Sequence, residues 1–290
     1  MAVLGVLAAS LAVLGVVSVR SEPANTPAAP ASVATIGLNS ESSAFYCGGL
    51  EHVQGVVESD VAIADLASTA RVVEVTTTNE RNEVSLRQVR VEPGRVVHLS
   101  PAGLVGGSLE AVSVVSNGGD VAVTEAIRGV DGAAVAPCLT RAATSWWLTG
   151  GSTEKGESLV LSVFNPYASS AVFSVTLQTP GGVAVPQAFQ QYVLGPHQLA
   201  ALSVHAVAPN QSPITTHIVA SDGNVVVYGI GRSTQGGASI SLLPGTPSTP
   251  AVTTFPVANS ATGRTTQLLL ANPGATPVVT DVRVLSLIHI

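Results

Sequence analysis

Trp146-Trp147-Leu148-Thr149-Gly150-Gly151-Ser152-Thr153-Glu154-Lys155-Gly156, running through Leu159-Val160-Leu161-Ser162-Val163-Phe164 into Asn165-Pro166, is the stretch that decides the fold. An aromatic pair opens it, a Gly/Ser/Thr turn follows, and an apolar strand ends at an Asn-Pro corner. Beyond the corner Val172-Phe173-Ser174-Val175-Thr176-Leu177 alternates apolar and polar residues. Short, β-branched runs of period two, bounded by Gly, Pro, Asn or Asp, are the signature of strands rather than helices. Turn residues sit between such runs along the chain, as at Pro93-Gly94, Asn117-Gly118-Gly119, Pro180-Gly181-Gly182 and Asp222-Gly223.

The same pattern recurs on both sides. Ile63-Ala64-Asp65-Leu66-Ala67-Ser68 before Val73-Glu74-Val75 aligns with Val163-Phe164-Asn165-Pro166-Tyr167-Ala168 before Phe173-Ser174-Val175. Leu268-Leu269-Leu270-Ala271-Asn272-Pro273 aligns in turn with Leu161-Ser162-Val163-Phe164-Asn165-Pro166, and the alternating run Val279-Thr280-Asp281-Val282-Arg283-Val284 follows it. Later landmarks agree, since Val115-Ser116-Asn117-Gly118-Gly119-Asp120-Val121 answers Val219-Ala220-Ser221-Asp222-Gly223-Asn224-Val225. Repetition at a fixed period is the mark of tandem units. The expected fold is all-β, with tandem Ig-like β-sandwich repeats whose units open near Tyr46, Trp146 and Phe255. The boundaries that follow are 45–140 for the first unit, 141–244 for the second and 245–290 for an incomplete third. An unfinished unit would leave edge strands and an apolar face uncovered, so a longer gene product is expected.

Composition narrows the setting. Charged residues are only 10% of the 290, against about 25% in an ordinary globular chain. The net charge of -6 and scattered basic residues exclude a nucleic-acid binder, which must neutralise phosphates with clustered Lys and Arg. Residues 1–19 are apolar or small up to Arg20, long enough to span a bilayer as an anchor, or else to serve as a signal segment. Residues 20–44, rich in Pro, Ala and Thr, read as a semi-extended linker. The chain is therefore expected in the cytoplasmic membrane through residues 1–19 with its bulk extracytoplasmic, or secreted if that segment is cleaved.

Few residues invite chemistry. Cys47 and Cys138, the only cysteines, bracket the first unit, and in an exported chain they suggest a disulfide, the alternative being two free thiols. Trp146, Trp147 and Tyr167 form a candidate ligand face for stacking on sugar rings, or fill the core beside the first unit. The Asn165-Pro166 and Asn272-Pro273 pairs read as strand-ending corners. The histidines show no metal-ligand spacing, and no metal or cofactor is expected. Asp60, Asp65, Glu154 and Glu157 are the acidic residues a glycan hydrolase would need to pair across a cleft. Asn210-Gln211-Ser212 is a formal glycosylation sequon.

The apolar start, the linker, the paired cysteines, Trp146-Trp147-Leu148-Thr149-Gly150-Gly151-Ser152-Thr153 and the repeated Asn-Pro corner together resemble an actinobacterial membrane-anchored or secreted family of unknown function, DUF5719. The likeness covers most of residues 45 to 285. It implies a place outside the cytoplasmic membrane and, because genes of such proteins often lie near glycosyltransferase genes, a link to envelope glycan. It supplies no catalytic residues. The resulting expectation is a non-catalytic binding or scaffolding module at the bacterial cell envelope. The alternatives are a carbohydrate-binding accessory to envelope glycan synthesis and, behind it, a carboxylate-dependent glycan hydrolase. Partners are expected to be the membrane and an envelope glycan or protein.

Overall fold

A computed structural model describes residues 42–53, 55–101, 104–130, 132–234, 239–248, 252–253, 268–272, 274 and 276–283. The expected anchor at 1–19, nearly all of the linker and the opening of the third unit at Phe255 lie outside the described residues. Among those described, no helix is long and apolar enough to cross a membrane.

Among the described residues the chain is all-β apart from a short 3-10 turn at Gln187–Phe189, with four antiparallel sheets. In the first half one sheet orders β1 (Ser42–Glu51), β6 (Leu109–Asn117), β3 (Arg71–Asn79) and β4 (Val84–Val91). Its companion orders β5 (Val96–Leu99), β2 (Val56–Asp65), β7 (Val121–Gly129) and β8 (Gly132–Pro137). In the second half β9 (Ser145–Thr149), β15 (Thr215–Asp222) and β11 (Ala171–Thr179) lie side by side, and β11 also pairs β12 (Gly182–Ala184) and β13 (Tyr192–Leu194). Facing them are β14 (Leu199–Ser203), β10 (Glu157–Phe164), β16 (Val226–Ser233) and β17 (Ser239–Pro244). The two halves thus share one strand order. Each is sandwich-like, because its core draws residues from both of its sheets.

The correspondence extends to single ladder pairs. Phe45 opposes Val114 as Trp146 opposes Ile218, and Tyr46 opposes Ser113 as Trp147 opposes His217. Likewise Glu58 opposes Arg128 as Ser158 opposes Arg232. Such register is fixed by the buried face, since a slip of one residue would turn every core side chain outward. The strand-ending corners match too. Asp65 Oδ1 accepts the Ala67 N–H at 2.9 Å, Asn165 Oδ1 accepts that of Tyr167 at 3.1 Å, and Asn272 Oδ1 accepts that of Gly274 at 3.0 Å.

The third unit corrects one expectation. Within 268–272 and 276–283 no strand forms among the described residues, although Val279-Thr280-Asp281-Val282 alternates well; Val279 is 96% exposed. A strand exists only in a ladder, and alternation without a neighbouring strand does not make one. The Asn272 corner still forms because its hydrogen bonds are local, including Asn272 Nδ2 to the Thr276 carbonyl at 2.7 Å.

The two sandwiches meet at an apolar seam. Leu109, Ala111, Ile127 and Ala136, at one mouth of the first sandwich, pack with Phe164, Leu199, Val226, Tyr228, Ile230 and Leu242 of the second. Close approach requires Gly48 and Gly49 in an irregularity of β1. A Cβ on Gly48 would come within 2.7 Å of the Tyr228 ring, and one on Gly49 within 2.1 Å of the Leu242 side chain. The Tyr228 hydroxyl donates to the Tyr46 carbonyl at 2.8 Å and accepts the Leu139 N–H at 3.0 Å. Arg232 Nε donates to Glu51 Oε2 at 2.9 Å, tying β16 to the end of β1.

Candidate functional site

The sequence singled out residues that the strands then distribute. Cys47 and Cys138 are joined in a disulfide, beside the backbone pair in which Tyr46 and Leu139 exchange bonds of 2.7 and 2.9 Å. Trp146 is not on a ligand face: it is fully buried, with Nε1 donating to the Val225 carbonyl at 2.7 Å. It shares the inward phase of β9 with Leu148, and a ring of this size contributes about 150–250 Å² of buried area. Trp147, one residue on, takes the outward phase and stacks on His217 with centroids 3.7 Å apart and planes 7° from parallel. His217 Nε2 lies 3.1 Å from Ser145 Oγ, and burial lowers the imidazole pKa. Tyr167 is 40% exposed at the Asn165 corner, where it raises the pKa of the seam residue Tyr46, pushed up to about 12 chiefly by burial. The three aromatics therefore occupy a core, a sheet face and a corner rather than one platform.

The candidate carboxylates are likewise dispersed. Asp60 is buried and lies 2.6 Å from His98 Nδ1, and Asp65 is held in its corner beside Arg71. Both belong to the first sandwich, whereas Glu154 sits in an exposed turn of the second and Glu157 accepts the Ser233 hydroxyl at 3.2 Å. No group of three metal-ligating side chains comes together among the described residues.

Sequence reasoning passed over the buried acids inside the strands. Glu110, fully buried, pairs with His52. Glu125, also fully buried, accepts the Gly49 N–H at 2.9 Å and lies against the Tyr228 hydroxyl. Burial pushes its carboxyl up to about 8, so it is neutral at pH 7. The signal was present, since Glu125 falls in phase with the core residues Val121, Val123 and Ile127.

One concave feature combines space with polar groups. At the free mouth of the second sandwich a cleft of about 310 Å³ is lined by Ser152, Glu157, Ser158, Arg232, Ser239 and Ser241, with Gly151, Gly231, Ser212, Pro213, Ser233 and Leu269 completing it. Serine hydroxyls both donate and accept, Glu157 accepts and Arg232 donates, so the wall suits a polar, hydroxyl- or amide-bearing partner.

In the described residues these features define an all-β, sandwich-like protein with a disulfide and a polar open mouth. Against known families, the model of a family of unknown function, DUF5719, matches residues 107–228, from just before β6 into β16. That stretch is shorter than the span over which the sequence motifs resemble the family, and it crosses the seam. No curated protein and no solved structure matches the chain.

Proposed function

We propose that the protein is a tandem array of Ig-like sandwiches that stands outside the cytoplasmic membrane, is held there through residues 1–19, and acts as a non-catalytic binding or scaffolding module of the cell envelope. The observation that supports this reading most is the seam. It joins the two sandwiches through a buried apolar cluster and the Tyr228 and Arg232 contacts. Joined domains of low charge content present a partner away from the point of attachment, and an oxidised Cys47–Cys138 pair suits an oxidising compartment. Protease treatment of intact cells tests the topology: residues 45–248 should be cleaved or released without lysis. Their survival until the cells are broken would reject it.

A second reading, a carbohydrate-binding accessory, is favoured by the outward face of β9, β15 and β11. There Trp147 stacks on His217, with Ser145 and Thr149 to either side on its own strand and Thr215 and Val219 diagonal to it on β15. Binding to envelope glycans should fall at least about tenfold in Trp147→Ala, and glycan binding untouched by that change would remove the site.

A further inference from the structure

The open mouth of the second sandwich is the structural counterpart of the mouth that the seam closes on the first. Counted along matched strands, Ile127 corresponds to Gly231, Ala134 to Ser241 and Gly132 to Ser239, because Ile127 opposes Ala134 as Gly231 opposes Ser241. Leu109 corresponds to Pro213, counting back from Val114 and Ile218. The glycine pair also recurs, as Gly48-Gly49 after Phe45 and Gly150-Gly151 after Trp146. What covers the first mouth is the outer phase of β10 and β16, and one group on it is Ser162, whose Oγ lies 3.6 Å from the position of a Gly48 Cβ. Leu269 holds the place of Ser162 in the sequence repeat, and its Cδ1 lies 3.2 Å from the position of a Gly150 Cβ. Finally, the chain leaving each sandwich turns back on the first strand in the same way. Leu139 pairs with Tyr46, and Thr246 pairs with Trp147 through two bonds of 2.8 Å.

The geometry points to the mouth lined by Ser152, Glu157, Ser239 and Ser241 as the docking surface for the chain's own following segment at residues 268–271. Leu269 reaches it beside Gly150 as Ser162 of β10 reaches Gly48 at the first mouth. The lining differs in chemistry. Where the first mouth offers Leu109, Ile127 and Ala134, the second offers Pro213, Gly231 and Ser241, with Leu269 the apolar side chain that reaches it. Such a joint opens more readily than the apolar seam, because it removes less apolar surface from water. The inference rests on the reading of the chain as an array.

Hydrogen exchange on the 290-residue chain tests it, comparing the native protein with Leu269→Asp. The amides of residues 151–158 and 239–241 should exchange about tenfold faster in the variant, while those of residues 109–112 and 127 at the first mouth stay unchanged. Equal exchange at the second mouth overturns the assignment. A second measurement uses cysteine pairs and a short thiol cross-linker. The double variant Ser241→Cys with Leu269→Cys should link within one chain, and a mixture of the two single variants should not link between chains. Links formed only between chains would make a second copy the occupant and overturn the proposal. Neither result bears on protease accessibility at the cell surface, so failure here is separable from failure of the envelope reading.

Discussion

The two mouths are built on one register and end in opposite states. The first is apolar and shut, with Ile127 and Ala111 fully buried beneath Tyr228 and its neighbours. The second carries Gly231, Ser239 and Ser241 at the matched places and stands open as a cleft. One further substitution separates them. Glu125 supplies the acceptor for Gly49 in the first mouth, whereas the matched position in the second is Gly229, close to Leu148 and Leu243. Strand order alone therefore does not decide whether a sandwich end becomes an interface. The side chains on the last inward positions decide it.

The largest expected effect concerns the strut beside the shut mouth. Replacing both Cys47 and Cys138 by serine should cost the first sandwich about 4.6 kcal/mol, the chain-entropy value for a loop of this length, and should leave the melting of the second less affected. Calorimetry on the same chain would show the two transitions moving apart. Equal shifts would mean that the seam couples the sandwiches too tightly for them to differ.

Making the shut mouth resemble the open one is the next test. Ile127→Ala removes a fully buried side chain and should cost about 3 kcal/mol in chemical denaturation. A cost near zero would show that the seam does not depend on this contact.

Glu125 gives the comparison a pH dependence. Its carboxyl titrates near 8 in the folded chain against an ordinary value of 4.5. The folded state therefore binds more protons than the unfolded state between those pH values. The contribution of Glu125 to stability is full below about 4.5, falls through that window by up to about 1.4 kcal/mol per pH unit, and is gone above about 8. Glu125→Gln keeps an acceptor for the Gly49 N–H and should flatten this slope. Urea unfolding at several pH values measures it, and an unchanged slope would assign the dependence elsewhere. The smallest effect belongs to the open mouth: Ser241→Ala should alter stability by less than about 0.5 kcal/mol, as at other exposed positions.

What could be read from the sequence was local. The Asx corners at Asp65, Asn165 and Asn272 follow from side-chain to backbone bonds spanning a few residues, and the last of them forms although no strand follows it among the described residues. Strand phase was also available: Trp146 shares its phase with Leu148 and Trp147 does not, so alternation alone separates the core ring from the outward one. The seam was harder, though β10 and β16 are buried on both phases from Leu161 to Phe164 and from Val226 to Ile230. A strand apolar on both faces has sheet partners on one side and a foreign surface on the other, but the sequence does not say which surface. The cleft as a whole was not legible, because its serines come from strands and loops far apart in the chain, and the motifs that hold Ser152 and Ser212 do not point to one another.

The disulfide has a mechanical consequence. Cys47 and Cys138 stand 91 residues apart in the chain and at its entry to and exit from the first sandwich. A pull between the chain's two ends passes from Cys47 to Cys138 through the sulfur bridge and bypasses the loop between them. Even fully unravelled, the first sandwich would withhold roughly 300 Å of extension. The second sandwich has only the paired Trp147 and Thr246 backbones at the same place. Under load the array is a fixed-length link in series with an extensible one.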